Sequence, residues 1–349
     1  MTNTKDQSDK NSSAISLKAS LIACMLLVLV PVRTTLAHHN KESSMQERLA
    51  CAELIDVAAR RNCLDLVERR DYQIGSVNGR EKVDHALLLK DSSYRKSVLA
   101  TGRISCETAF YIGRFAGEHV AVTSMHVVTG ANPRINCSCW EIQFEYLLPA
   151  NSVHCDRIIA AWPELDLALI SLEVPSADDG RLLEKNALRF DFTSRIRHGQ
   201  KLVLAGYGGF GNVGHTDLMI NRDSDCMVMS ADATYRLRQV DAPKKGVGGV
   251  WSVAIGCDSS PGDSGSAVLD RMSGRVLGVL WGGDTGKPDW VRDSALLHST
   301  LATGREEAVW QYLNYATPAV KIREIIDGDL RSNQFDKKTA TILRAWLAK

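Results

Sequence analysis

Between residues 108 and 283 the chain breaks into short apolar or alternating runs separated by turn residues: TAFYIG, HVAVTSMHVV, WEIQFEYLL, LDLALISLEV, KLVLAGYG, CMVMSA, GVWSVAIG, GSAVLD and RVLGVLWGG. Side chains of a strand alternate between its two faces, so short runs at this spacing point to an all-β barrel or sandwich. The ends of the chain read differently. Residues 45–70, MQERLACAELIDVAARRNCLDLVERR, have helical apolar spacing and many charges. TPAVKIREII and KKTATILRAWLAK also read as helices, the first opened by Thr317-Pro318. There is no internal repeat and no low-complexity tract.

The 349 residues carry a formal charge of +1, with 44% hydrophobic and 24% charged residues, an ordinary globular composition. With no basic run of five or more, that balance gives no electrostatic footprint for nucleic acid. A polar, lysine-bearing start leads into ASLIACMLLVLVPV, an apolar run of 14 residues. Such a run is short for a membrane span and suits a signal-peptide core. TLA (Thr35 to Ala37) follows at the usual cleavage spacing, leaving His38 as the new N-terminus. Residues 1–37 are therefore read as a signal peptide and the protein as secreted or periplasmic, with no stable membrane association after cleavage. LIAC (Leu21 to Cys24) mimics a lipoprotein box, although the apolar run continues past Cys24. Lipidation and an uncleaved anchor stand as alternatives.

Removal of Cys24 leaves eight cysteines: Cys51, Cys63, Cys106, Cys137, Cys139, Cys155, Cys226 and Cys257. An even number in an exported chain suggests disulfides. Cys137-Ser-Cys139 is not a C-x-x-C pair and no matching histidine pair follows, so neither a metal nor a cofactor is expected. One straight helix over residues 45–70 would set Cys51 and Cys63 about 18 Å apart, whereas a disulfide needs Cα atoms within roughly 7 Å. Either the helix breaks near Arg60–Asn62 or these cysteines pair elsewhere.

Gly262-Asp263-Ser264-Gly265 carries chemistry. A serine hydroxyl is a poor nucleophile until a base takes its proton and a third group orients that base. It also needs backbone N–H donors aimed at an oxyanion, hence a tight turn, in which the N–H groups of Gly262 and Ser264 converge. By chance this tetrad should occur in only about 1% of chains this long. Of the nine histidines, only His126 closes an apolar strand, VAVTSM, that can aim it. PELDLALISLEV places Asp166 inside an otherwise apolar strand, where an unpaired charge is costly; Glu164 and Glu173 lie at its margins. His126, Asp166, Ser264 is the chain order of one known triad arrangement.

The chain resembles the chymotrypsin-like (trypsin-like) serine proteases, especially the bacterial branch related to glutamyl endopeptidases. SCETAFYIG…VAVTSMHVV, LDLALISL and CDSSPGDSGSAVLD…GRVLGVLWGG resemble its histidine, acid and serine segments, and IGSVNGREKV resembles the start of its mature domains. The separations of 40 and 98 residues between triad members suit it. The resemblance implies two six-stranded antiparallel β-barrels over residues 74–327, after a helical extension or pro-segment at 38–73 and before a helical tail at 328–349. It implies His126 as general base, Asp166 as its orienter, Ser264 as nucleophile, and Gly262 and Ser264 N–H groups as oxyanion hole. Leu280, Trp281, Gly282 and Gly283 would wall the specificity pocket, with backbone of Leu280 and Gly282 holding the substrate strand. A Cys226–Cys257 disulfide is implied by the branch. Cys51–Cys63 is a second pairing, and the other four cysteines allow three connectivities.

Several departures bear on activity and specificity. TSMH replaces TAAH before the histidine. There is no Arg-Ile-Val-Gly-Gly activation site, although Asp263 stands where relatives pair an acid with a liberated N-terminus. Leu280 replaces the histidine that the glutamyl branch carries. Asp258 occupies the place of the trypsin-like pocket carboxylate, which predicts a protein or peptide substrate cut after Arg or Lys. Because the glutamyl branch also has Asp there, a cap for loop N–H groups is the competing role. The expected activity is that of a serine endopeptidase. Its alternatives are a catalytically silent binding protein of the same fold, blocked by residues 38–73, and another acyl hydrolase. GYGGFG (Gly206 to Gly211) fits a dinucleotide fingerprint, but no helix follows it, and a β-turn beside the cleft is expected.

Overall fold

The computed structural model describes residues 46–129, 140–209, 217–239, 249–284, 286–303 and 309–349, apart from positions 48, 55, 57, 58, 61, 62, 64–66, 68 and 69. The expected leader with Cys24, the new terminus at His38, Cys137, Cys139 and the end of GYGGFG lie outside the described residues.

The apolar runs fold into antiparallel strands. After β1 (Arg80–Lys82), β2 (Thr101–Ile104), β3 (Glu107–Phe115), β4 (Glu118–Ser124), β5 (Glu141–Gln143), β6 (Val153–Trp162) and β7 (Leu167–Glu173) close a barrel in the order β2-β3-β4-β7-β6-β5. The second half comprises β8 (Leu202–Gly206), β9 (Met219–Asn221), β10 (Arg236–Arg238), β11 (Val250–Ile255), β12 (Ala267–Asp270), β13 (Val276–Gly283) and β14 (Asn314–Pro318). With β1 they form an eight-stranded sheet, β1-β9-β8-β12-β13-β14-β11-β10. The fold is the expected chymotrypsin-like pair of β layers, but this half has eight strands instead of six. The short β1 and β10 extend its two ends by pairing with β9 and β11.

Strands β3, β4 and β7 bury both faces, which explains why they read as continuous apolar runs. Ala109, Tyr111, Ala121, Ala168 and Ile170 fill the barrel. The alternate residues Phe110, Ile112, Val120, Val122, Leu167 and Leu169 join a second cluster with Ile322, Ile326, Ile342, Leu343 and Trp346. The C-terminal residues are therefore part of the core. Helix Ala319–Arg331 runs through the expected boundary at 327/328, and helix Lys337–Leu347 buries six of its residues, so no separate tail exists.

At the other end, Cys51 and Cys63 are joined with Cα atoms 5.5 Å apart. The helical run is interrupted by a turn at Glu53 and a bend at Asp56, and the Arg60 guanidinium donates to Leu54 O; positions 61 and 62 of the expected break lie outside the described residues. Cys226 and Cys257 are also joined, and Cys106 and Cys155 are disulfide-bonded. Two helices carried no clear signal in the sequence, His85–Lys90 and Ser92–Ala100, each capped by an aspartate, Asp84 and Asp91.

Trp346 packs edge-on against Phe190 and Phe192, at centroid distances of 5.2 and 5.3 Å. Trp346→Ala should cost about 3–5 kcal/mol, read as a lower midpoint in denaturant unfolding. A change below 1 kcal/mol would place this helix outside the cooperative core.

Candidate active site

The register of β4 and β7 brings the first two candidate residues together. Ser124 at the end of β4 lies opposite Leu167 at the start of β7. His126, two residues past β4, thus meets Asp166, one residue before β7. Asp166 does not sit inside a strand as expected, and His126 lies just past the strand it was expected to close. His126 lies in the short helix Met125–Thr129, and Asp166 caps the 3-10 turn Pro163–Leu165 with φ of 42°, a left-handed conformation that aspartate tolerates. This turn leaves the carboxylate buried without placing it in the ladder. Asp166 Oδ2 lies 2.5 Å from His126 Nδ1, and Oδ1 accepts the His126 backbone N–H at 2.9 Å. Asp166 O accepts the Met125 N–H at 2.9 Å. One residue thus fixes both the ring and the backbone that carries it. With Nδ1 committed, Nε2 is the ring atom left for proton transfer.

The serine loop is held by the other barrel. Thr108, in β3, donates its N–H to Ser264 O at 3.1 Å and its hydroxyl to Gly262 O at 2.7 Å. Gly262 and Gly265 have φ of +105° and +88°. A Cβ on Gly265 would lie 2.1 Å from Thr108 O and 3.0 Å from Ser124 N, so no side chain fits. The same contact brings the chain next to Ser264 against the chain two residues before His126. Leu280 completes the turn: its O accepts Gly265 N–H at 2.8 Å and its N–H donates to Ser266 O at 2.9 Å. Leu280 O also accepts the Ser124 hydroxyl at 3.1 Å. Both backbone groups of Leu280 are therefore engaged internally, which corrects the expectation that they hold a substrate strand.

Three buried charged groups brace this region. Asp263 accepts Gly208 N–H and Ser260 N–H, each at 2.8 Å, and Arg80 Nη2 lies 3.6 Å from its Oδ2. Arg80 also donates to Ser260 Oγ and Gly208 O. The cation facing Asp263 is thus a side chain, not a chain terminus. Asp258 lies at the expected place but spends both oxygens on backbone: Ile74 N–H at 2.6 Å and Gly79 N–H at 2.8 Å. Burial pushes its carboxyl up to about 8, against the lowering effect of those two donors. Lys287, only 2% exposed, donates to Asn314 Oδ1 at 3.2 Å. Burial pulls its ammonium down to about 7, opposed by attraction to Asp284 and Asp258.

The residues expected to wall the pocket lie on β13. Trp281 donates its indole N–H to Ser252 Oγ at 3.1 Å and stacks on Tyr315. Gly282 borders open space, whereas Gly283 lies against Asn314. Thr108 and Arg80 lie inside SCETAFYIG and IGSVNGREKV with no role read from them, and Lys287 lies in no motif; only the tertiary contacts single them out. Among the described residues no cluster of His, Cys, Asp and Glu is placed to hold a metal ion.

Residues 107–279 match the family described as the trypsin-like peptidase domain. No curated protein matches the chain. Among solved structures, the Rv3671c protease in its inactive form is similar at 16% identity, covering 71% of this chain and 97% of that one, with a TM-score of 0.43. The active form of that protease from M. tuberculosis is 18% identical over 70% of this chain and 86% of that one, with a TM-score of 0.40. The HtrA-type protease AlgW with a decapeptide is 16% identical over 70% and 68%, with a TM-score of 0.41. The family match supports a serine protease of the trypsin-like kind and does not reach the glutamyl endopeptidase branch.

The Asp258 geometry yields a stability prediction. Asp258→Asn replaces one acceptor oxygen by a donor and leaves one of the two N–H groups unpaired. A loss of about 1–3 kcal/mol is expected, measured by thermal unfolding. An unchanged melting temperature would show that the contacts with Ile74 and Gly79 contribute nothing.

Proposed function

We propose that the protein is an exported serine endopeptidase that cleaves protein or peptide substrates through an acyl-enzyme. The observation that carries this reading is the Asp166 grip on His126, set beside a serine turn clamped by Thr108. Ser264 Oγ attacks the scissile carbonyl carbon while its proton passes to His126 Nε2. Asp166, held at Nδ1, stabilises the imidazolium and fixes its tautomer. The carbonyl electron pair becomes an oxyanion facing the N–H groups of Gly262 and Ser264. Collapse expels the amine, which takes the proton from His126, and water then repeats the sequence on the acyl-enzyme. Arg80 holds the serine loop through Asp263, Ser260 and Gly208, so the turn needs no ammonium at a cleaved terminus.

The position of Asp258 favours a basic side chain before the cut. Its geometry opposes that preference, because both oxygens already serve backbone donors and Lys287 adds a competing cation. We assign Asp258 to the loop, which leaves the side-chain preference to be set by the wall of Trp281, Gly282 and Gly283. Profiling with a peptide library checks this: the preference of Asp258→Asn should match that of the unsubstituted protein. Loss of an Arg or Lys preference in the variant would return Asp258 to the pocket.

Ser264→Ala should abolish peptide hydrolysis and fluorophosphonate labelling while preserving the unfolding curve. Asp166→Asn should lower kcat by about 10⁴-fold, since the wrong tautomer would face the serine. Hydrolysis by purified Ser264→Ala equal to that of the unsubstituted protein would remove the central assignment. Absence of labelling in the folded, mature protein would favour a silent binding protein instead.

A further inference from the structure

A second acid–histidine pair lies apart from the triad. Asp225 is only 2% exposed and stands just before the Cys226–Cys257 bridge, against the helix Ser294–Ala302. Its Oδ1 lies 2.8 Å from His298 Nε2, and its Oδ2 accepts the Ser294 hydroxyl at 2.6 Å. Ser294 and His298 are four residues apart and so share one face of that helix. Hydroxyl and imidazole both bond to the carboxylate, so this ring is committed to the acid instead of activating the serine. The cluster is a clamp.

What it clamps is the segment that leads into Arg80. While donating to Asp225, the Ser294 hydroxyl accepts the Ser76 N–H at 2.8 Å, and the Ser76 hydroxyl accepts the Ser294 N–H at 2.9 Å. Gly75, at φ of +82°, lies so close to Asp225 that a Cβ would come within 2.1 Å of Oδ2. Its N–H donates to Val291 O at 2.9 Å. Three residues past Ser76, the Gly79 N–H reaches Asp258, and Arg80 then places its guanidinium on Ser260, Gly208 and Asp263. Arg80 is thus held from two sides: by β1 on β9, and by the clamped residues before it.

We propose that Asp225 is a positioning residue for the reaction: through Ser294 it seats residues 74–80, and the seated segment delivers Arg80 to the loop that shapes the Ser264 turn. The inference rests on the peptidase reading above and deepens it. Asp225 makes and breaks no bond in the chemistry and acts on the turn through Arg80. The physical reason lies in tolerance. Donors that must meet an oxyanion lose about 10²-fold in rate for a misplacement of about 1 Å. A shifted Arg80 would also leave Asp263 buried without its cation, which is costly. The clamp is stiff for the same reason, since opening it would strip a buried carboxylate of the Ser294 and His298 donors.

The test combines amide exchange over residues 74–80 with kcat and KM on one peptide from the library. It compares the unsubstituted protein with Ser294→Ala, Ser294→Thr, Asp225→Asn, Arg80→Ala and the Arg80→Ala/Ser294→Ala pair, each checked by unfolding. Ser294 is only half-buried, so its variants decide the matter even where Asp225→Asn fails to fold. Ser294→Ala should speed exchange over residues 74–80 and lower kcat about tenfold with KM little changed, as a displaced turn does. Asp225→Asn should act in the same direction. Ser294→Thr, which keeps the hydroxyl, should restore both readouts. Arg80→Ala should lose about 10²-fold in kcat. Adding Ser294→Ala to Arg80→Ala should cost nothing more, because both act by one route. Exchange or kcat unchanged in Ser294→Ala, or a further loss of about tenfold in the double variant, would overturn the assignment. Full activity in Ser264→Ala is a failure of the peptidase reading itself, separate from the exchange result, which needs no turnover.

Discussion

The geometry of the candidate site depends on the contact between Thr108 and the serine loop. Two hydrogen bonds from one residue of the first barrel fix two carbonyls of a turn that belongs to the second sheet. The approach is so close that Gly265 has no room for a side chain between Thr108 and Ser124. Because β3 and β4 pair along their lengths, whatever holds the loop against β3 also holds it beside the end of β4, where His126 begins its helix. Ser264 and His126 come from chain segments far apart in sequence, and this packing sets their spacing.

The second sheet carries an unusual load of buried charge behind the loop. Asp258, Asp263 and Lys287 are all nearly inaccessible, and Arg80 is mostly covered. An isolated charge in such a place is costly, and each here has partners that reduce the cost. The carboxylates collect backbone N–H groups from residues 74, 79, 208 and 260. Arg80 returns donors to Ser260 and Gly208. The segment from Ile74 to Lys82 is thereby joined to the loop by directional contacts, and β1 locks it to the sheet through β9.

A different constraint governs the back of the molecule. A barrel strand normally has one face toward water, yet β3, β4 and β7 are apolar on both. The helices Ala319–Arg331 and Lys337–Leu347 cover the outer face and make one cluster with Phe190, Phe192 and residues of the second sheet. Thr317 adds a polar tie, its hydroxyl donating to Leu165 O at 2.6 Å in the turn that carries Asp166. The end of the chain thus supports the residue that orients His126.

Period and turn chemistry were legible in the sequence, because they are local. The alternating runs announced the strands, the Gly-Asp-Ser-Gly tetrad announced a constrained turn, and the spacing of His126, Asp166 and Ser264 matched a known order. The sequence placed Asp166 inside a strand and His126 at the end of one. The structure moved each by one or two residues into a turn and a helix, since strand ends are set by pairing register and not by hydropathy. It also suggested a helical tail where there is core, because an amphipathic helix does not reveal what lies against its apolar face. Asp258 was read from its position before Ser264, but its partners, Ile74 and Gly79, lie about two hundred residues away in the chain and no local pattern links them. Thr108 and Arg80 lay within family-like segments that gave no sign of their roles, and Lys287 had no signal at all. Each acts through burial and through neighbours distant in sequence, and those exist only once the two β layers have closed on each other.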